Sequence, residues 1–211
     1  MFLDIVYAVI MFCIKTGLRL MYRIHVEGVD NVPKKGPAVF ICNHTSVADS
    51  FFIGCFLPRK IYFMAKSTEY ASAPVRFFLY LSRTFPVRRY DIDPVSLRNA
   101  LRVLSFGGLV GIYPEGERTW DGQMLPFRNG TIRFLLAAGV PIIPAGISGA
   151  FENQPRWGGK IAGPEVRLSI GRPIHAPKIK GKDQTPEDIR TLARTIESAI
   201  SRLAERRGAV Q

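Results

Sequence analysis

Cysteine is scarce in this chain of 211 residues. Cys13, Cys42 and Cys55 are odd in number and lack the paired spacing of a zinc site or a disulfide framework, so both are set aside and a reducing compartment is expected. All three read as packed thiols. Long apolar runs are missing too: the longest, residues 5–14, is about half of the roughly 20 residues that a spanning helix needs. No basic segment precedes it, as a secretory signal would require, and the chain is expected not to be secreted. Acidic residues are in short supply, 17 against 29 Lys and Arg, for a net charge of +12. Such an excess suits a polyanionic partner, either nucleic acid or an anionic membrane. Neither a reading helix, a zinc knuckle nor a base-stacking motif is recognisable, so no nucleic-acid partner is expected.

What remains is enough for one compact domain: 47% of the residues are hydrophobic, and neither an internal repeat nor a low-complexity segment breaks the chain. Over residues 1–23, Asp4, Lys15, Arg19 and Arg23 fall on one side at helical spacing, with apolar residues around the remainder. The pattern predicts a helix lying in the headgroup layer of a membrane. A core-packing helix with a polar outer stripe and a tilted spanning helix with snorkelling basic residues are the alternatives.

Strand patterns at 24–27, 38–42, 61–65, 85–88, 109–113, 142–147 and 166–170 alternate with helical patterns at 47–56, 74–81, 94–106 and 132–138. The alternation predicts an α/β fold, a central sheet with helices on its faces. Thr185, Pro186 and Asp188 then read as an N-cap, a first-turn proline and a capping-box acid. Ile189, Leu192, Ile196, Ile200 and Leu203 line one face of the helix they start.

Two polar segments follow apolar strands. NHTSVAD, residues 43–49, leaves the strand AVFIC at the carboxyl edge of the sheet, where α/β proteins commonly bind ligands. Positions five apart on a straight helix differ by about 140°, so His44 and Asp49 meet only if the histidine sits on the turn before the helix. Ser46 as N-cap would place it there. Asp49 could then fix the imidazole tautomer, leaving the other nitrogen to take a substrate proton. Without a GxSxG elbow, and with Cys42 inside a strand, direct attack by a substrate hydroxyl is simpler than a covalent enzyme intermediate. YPEGERT, residues 113–119, is the second segment; Gly116 lets the backbone bend, and Arg118 offers a planar fork of donors to a phosphate. Lys66, Arg88 and Arg89 stand at further strand ends.

Taken in order, NHTSVAD, FPVRR, YPEGERT and VPIIPAGI resemble the four blocks of the 1-acyl-sn-glycerol-3-phosphate acyltransferases, or lysophosphatidic acid acyltransferases, within the glycerolipid acyltransferases. The blocks span roughly residues 25–172. The resemblance implies a mixed, largely parallel sheet and a glycerolipid acyltransferase domain over 24–211. It implies His44 as general base, Asp49 as its partner, and Glu115, Gly116 and Arg118 as ligands of the acceptor's glycerol phosphate. Lys66 and Arg89, with Arg88 beside them, would face that phosphate, and Pro144 would shape the acyl-donor or acceptor cleft. The implied acyl donor is acyl-coenzyme A or acyl carrier protein, the acceptor a lysophospholipid, and the location the cytoplasmic face of the cell membrane, held peripherally or monotopically. No cofactor or metal is expected. Another lysolipid or glycerol 3-phosphate as acceptor, and a noncatalytic basic module, are the alternatives. Two positions depart from the family pattern, Tyr113 for the usual Phe and Glu117 for a small residue. The extra carboxylate would oppose phosphate binding unless it points away or pairs with a nearby arginine.

Overall fold

Seven strands form one sheet in a computed structural model, which describes residues 2–82, 84–88, 93–158 and 165–205, without the side chains of residues 2–4, 74, 78 and 81. They are β1 (Arg23–Glu27), β2 (Ala38–Cys42), β3 (Ile61–Lys66), β4 (Phe85–Val87), β5 (Leu109–Ile112), β6 (Ile142–Ser148) and β7 (Glu165–Ile170). Their order is β1-β7-β6-β2-β5-β3-β4. Neighbours from β6 across to β4 are parallel; β7 runs antiparallel to β6, and β1 follows β7. The expected mixed, largely parallel sheet is therefore present, and all seven strand patterns fall on it.

Pleating decides what each face meets. Along β2, which is buried from end to end, Ala38, Phe40 and Cys42 face a cluster with Phe52 and Ile53 of α2 (Asp49–Phe56). Val39 and Ile41 face the other way, toward Ala100, Val103 and Leu104 of α4 (Pro94–Ser105). Ile132 and Leu135 of α5 (Asn129–Ala138) and Ile196 and Ile200 of α7 (Pro186–Ala204) complete that second cluster. Each such aliphatic side chain contributes about 1.5–3 kcal/mol by leaving water. The capping box holds as expected: Asp188 N–H donates to Thr185 Oγ1 at 3.1 Å, and Thr185 N–H donates to Asp188 Oδ2 at 2.8 Å. Two short helices complete the set, α3 (Ala73–Leu81) and α6 (Ala150–Asn153), of which the sequence patterns did not include α6.

The N-terminal helix α1 (Phe2–Met21) forms as expected. Lys15 is half-buried and Arg19 exposed, and both reach toward α2: Lys15 Nζ lies 4.9 Å and the Arg19 guanidinium 5.4 Å from the Phe56 ring centre. Stacking on an aromatic face lets a cation keep favourable electrostatics against protein. Apolar residues are exposed on the helix as well, Phe12 at 69% and Leu20 at 83%, beside Ile5 and Val9. Among the described residues no helix is long and apolar enough to cross a membrane.

Block four, VPIIPAGI, serves packing. Pro144 is buried in β6, opposite Ile41 of β2, and accepts a hydrogen bond from Gly171 N–H at 2.8 Å. Gly146 lies under α7 so closely that a Cβ there would sit 2.2 Å from Ala204 N, a backbone atom that cannot swing aside. Gly146→Ala should therefore cost about 1–3 kcal/mol by overpacking. Denaturant unfolding checks it, since a variant as stable as the parent would mean that α7 does not rest on β6 here.

Candidate active site

β2 and β5 are parallel neighbours and end at one edge of the sheet, so the turns that follow them meet. Asn43 anchors the first turn. Its side-chain amide donates to Ile147 O at 2.9 Å, and its oxygen accepts from Ile147 N–H at 2.8 Å, tying the turn to β6 at two points.

His44 sits before α2, as expected, but Ser46 is not the N-cap. Ala48 holds that position, and Asp49 opens the helix. The reason is the Asp49 carboxylate, which folds back and accepts from Thr45 N–H at 2.7 Å and Ser46 N–H at 2.8 Å. Ser46 Oγ still accepts from Ala48 N–H at 3.2 Å, the bond a capping side chain makes, one turn ahead of the first helical residue. The same Asp49 oxygen lies 2.9 Å from His44 Nδ1, while Asp49 itself has 0% exposure. A carboxylate only accepts, so Nδ1 is the protonated nitrogen and Nε2 the basic one.

The face of the imidazole is held as well as its edge. Tyr113 stacks on it with centroids 3.8 Å apart and planes 9° from parallel. The Tyr113 hydroxyl meets Ser50 Oγ at 2.8 Å, one residue past Asp49. Burial above all, with Asp49 second, pushes the Tyr113 hydroxyl well above its ordinary value, so it stays protonated. Burial likewise holds the Cys42 thiol far up, with Asp49 and Glu115 adding to it, which removes Cys42 as a nucleophile.

Glu115 was expected to meet the acceptor's phosphate, but its carboxylate is turned into the protein. Oε1 accepts from His44 N–H at 2.6 Å and Oε2 from Leu125 N–H at 2.7 Å. Burial raises its carboxyl to about 7, against the pull of those two amides. Gly116 has φ +78°, and a Cβ on it would lie 2.1 Å from Arg128 Nε, so both conformation and contact demand glycine. Arg128 Nε in turn donates to Glu115 O at 3.1 Å. Glu117 pairs with Arg156 at 3.0 Å and with Arg128 at 3.7 Å, which resolves the concern over an extra carboxylate.

A cleft of about 510 Å³ opens beside the histidine. His44, Arg88, Tyr113, Gly116, Arg128 and Phe134 are in its wall, together with Met64 and Leu97. Of the other expected site residues, Lys66, Glu115, Arg118 and Pro144 are outside that lining. Arg118 is half-buried, with its carbonyl accepting from Arg156 at 3.0 Å. Pro144 is enclosed in β6. Arg89 lies outside the described residues. Asn43, Ser50 and Arg128 belong to the site without having been singled out in the sequence. Asn43 had a visible signal, as the first residue of NHTSVAD; Arg128 is joined to the site only by folding.

Glu115→Gln should leave one of the two amides facing an NH₂ donor, costing about 1–3 kcal/mol and loosening the His44 backbone. Thermal melting and turnover should fall together, and an unchanged melting temperature would contradict the double amide tie.

A family model described as Acyltransferase matches residues 23–148, more than half of the chain. The 1-acyl-sn-glycerol-3-phosphate acyltransferase of Bacillus subtilis is 29% identical over 164 residues, 77% of this chain and 79% of that protein. The chloroplastic enzyme of that name from Arabidopsis thaliana is 28% identical over 163 residues, 74% of this chain; the match takes up only 45% of the plant protein's length. The crystal structure of the 1-acyl-sn-glycerophosphate acyltransferase from Thermotoga maritima superposes with a TM-score of 0.76 at 24% identity, covering 98% of this chain and 83% of that one, and so shares its fold. A match that runs from β1 through β6 takes in both polar turns and the strands that position them: the chain belongs to the acyltransferase family.

Proposed function

We propose that this protein moves a fatty acyl group from an acyl thioester to the sn-2 hydroxyl of lysophosphatidic acid, giving phosphatidic acid. The observation that carries the reading is His44, with Nδ1 bound to a buried carboxylate and its ring in the wall of a cleft that also contains arginine. The relatives named as 1-acyl-sn-glycerol-3-phosphate acyltransferases support the choice of acceptor.

In this mechanism Nε2 of His44 removes the hydroxyl proton as the acceptor oxygen attacks the thioester carbonyl. Asp49 stabilises the imidazolium that forms, and Tyr113 keeps its ring from rotating. When the tetrahedral intermediate collapses the C–S bond breaks, and the imidazolium returns the proton to the leaving thiol of coenzyme A or acyl carrier protein. Each component needed for the proton transfer is a side chain of this site. Arg88 supplies positive charge in the cleft for the acceptor's phosphate.

Both substrates carry acyl chains, and each methylene drawn into water costs about 0.8 kcal/mol, so the reaction belongs at a membrane surface. The apolar outer stripe of α1 fits a peripheral or monotopic attachment to the cytoplasmic leaflet, with Ile5, Val9 and Phe12 entering the acyl boundary.

His44→Ala should reduce acceptor-dependent thiol release from acyl-coenzyme A by about 10²- to 10⁴-fold with the fold intact, and Asp49→Asn should also be severe. Turnover near the parent's in His44→Ala would sink the mechanism. Replacing Val9 and Phe12 together by Glu should weaken flotation with anionic liposomes while leaving the melting temperature unchanged. Undiminished flotation would remove α1 as the membrane contact.

A further inference from the structure

The acceptor's phosphate needs partners in the cleft, and Arg118 is not part of the lining. Arg88 and Arg128 both are, and Arg128 is tied to the turn that carries Gly116. Three features hold it there. Its Nε donates to Glu115 O, its aliphatic stem packs against the bare Cα of Gly116, and its backbone N–H donates to Pro114 O at 2.9 Å. With Nε tied to Glu115 O and the side chain 40% exposed, the guanidinium stands in the wall of the cleft that also contains His44. A preorganised fork of this kind suits an oxyanion better than a mobile lysine would.

Glu117 completes the arrangement. It keeps the shorter ion pair, 3.0 Å, with Arg156 and the longer, 3.7 Å, with Arg128. Arg156 is itself held over the Trp120 ring at 3.9 Å and donates to the Arg118 carbonyl at 3.0 Å. An entering phosphate can therefore take the Arg128 edge while Glu117 stays paired to Arg156. Gly130 and Thr131, in the first turn of α5, are in the same wall, so the positive end of that helix adds to the field.

We infer that Arg128 is the principal residue binding the acceptor's phosphate monoester, and that Glu117 restrains this affinity as a counter-ion shared with Arg156. The inference rests on the proposed acyl transfer to a phosphate-bearing lysolipid. It also accounts for the Glu at a position where the family pattern has a small residue: the carboxylate offsets part of the charge and eases release of a phosphorylated product.

The test is steady-state kinetics of the full-length protein in detergent, with KM measured separately for lysophosphatidic acid and for acyl-coenzyme A. Arg128→Gln should raise KM for lysophosphatidic acid about 10- to 100-fold, the size expected for a lost charge-assisted contact, and move the donor's KM far less. Glu117→Gln should lower KM for lysophosphatidic acid by about threefold, and Arg118→Gln should do less than Arg128→Gln. Circular-dichroism melting accompanies each variant; should Arg128→Gln unfold, Arg128→Lys and Glu117→Gln provide the same comparison in a folded protein. An unaltered acceptor KM in Arg128→Gln, or a rise in the donor's KM alone, overturns the assignment, as does Glu117→Gln weakening acceptor binding. If the parent enzyme ignores lysophosphatidic acid but acylates another phosphate-bearing lysolipid, the choice of acceptor fails. A KM loss in Arg128→Gln on that lipid would still uphold Arg128.

Discussion

A carboxylate fully removed from water must be met by donors, and Asp49 draws the site together by collecting them. Two backbone amides, the Thr45 hydroxyl at 3.3 Å and the His44 ring converge on it. Desolvating an ion costs several kcal/mol, and losing any donor would leave part of that cost standing. The turn from Asn43 to Ala48 is therefore constrained to one shape, and that shape sets both the tautomer and the aim of the imidazole. Catalytic orientation and the solvation of a buried charge are one requirement here.

Around that centre, the rest of the sheet edge acts as support. Glu115 uses both oxygens to pin backbone, one on the His44 turn and one on the loop at Leu125, so the second polar block braces the first. Tyr113 joins them again through Ser50. Cleft chemistry is left to side chains in its wall, among them His44, Arg88 and Arg128.

The strands and most helices were legible because apolar periodicity and capping are local signals. β2 was bounded correctly by its polar flank, and Thr185 announced α7. His44 and Asp49 could be paired from their spacing, but the helix start could not be fixed, because Ser46 makes a capping-type bond while the helix opens only at Asp49. Glu115 shows the sharper limit: a polar residue beside a glycine looks like a ligand in one dimension, and only burial reveals that its acceptors are consumed by amides. Arg128 carried no local mark at all, since it reaches the site as the residue that starts α5, bonding Pro114 and Glu115 in the turn after β5. In α1 the spacing placed Lys15 and Arg19 on one stripe, and the ring that both approach, Phe56, comes from far along the chain.

The ties at Asn43 and His44 also bear on how the protein folds. They close over sequence separations of 104 and 71 residues, and loops of such length form only after the central strands have paired. No early, locally ordered fragment can contain a competent base. Activity should accordingly return during refolding only with the last tertiary structure, so that an acyl-transfer signal reports completed native chains rather than compact intermediates.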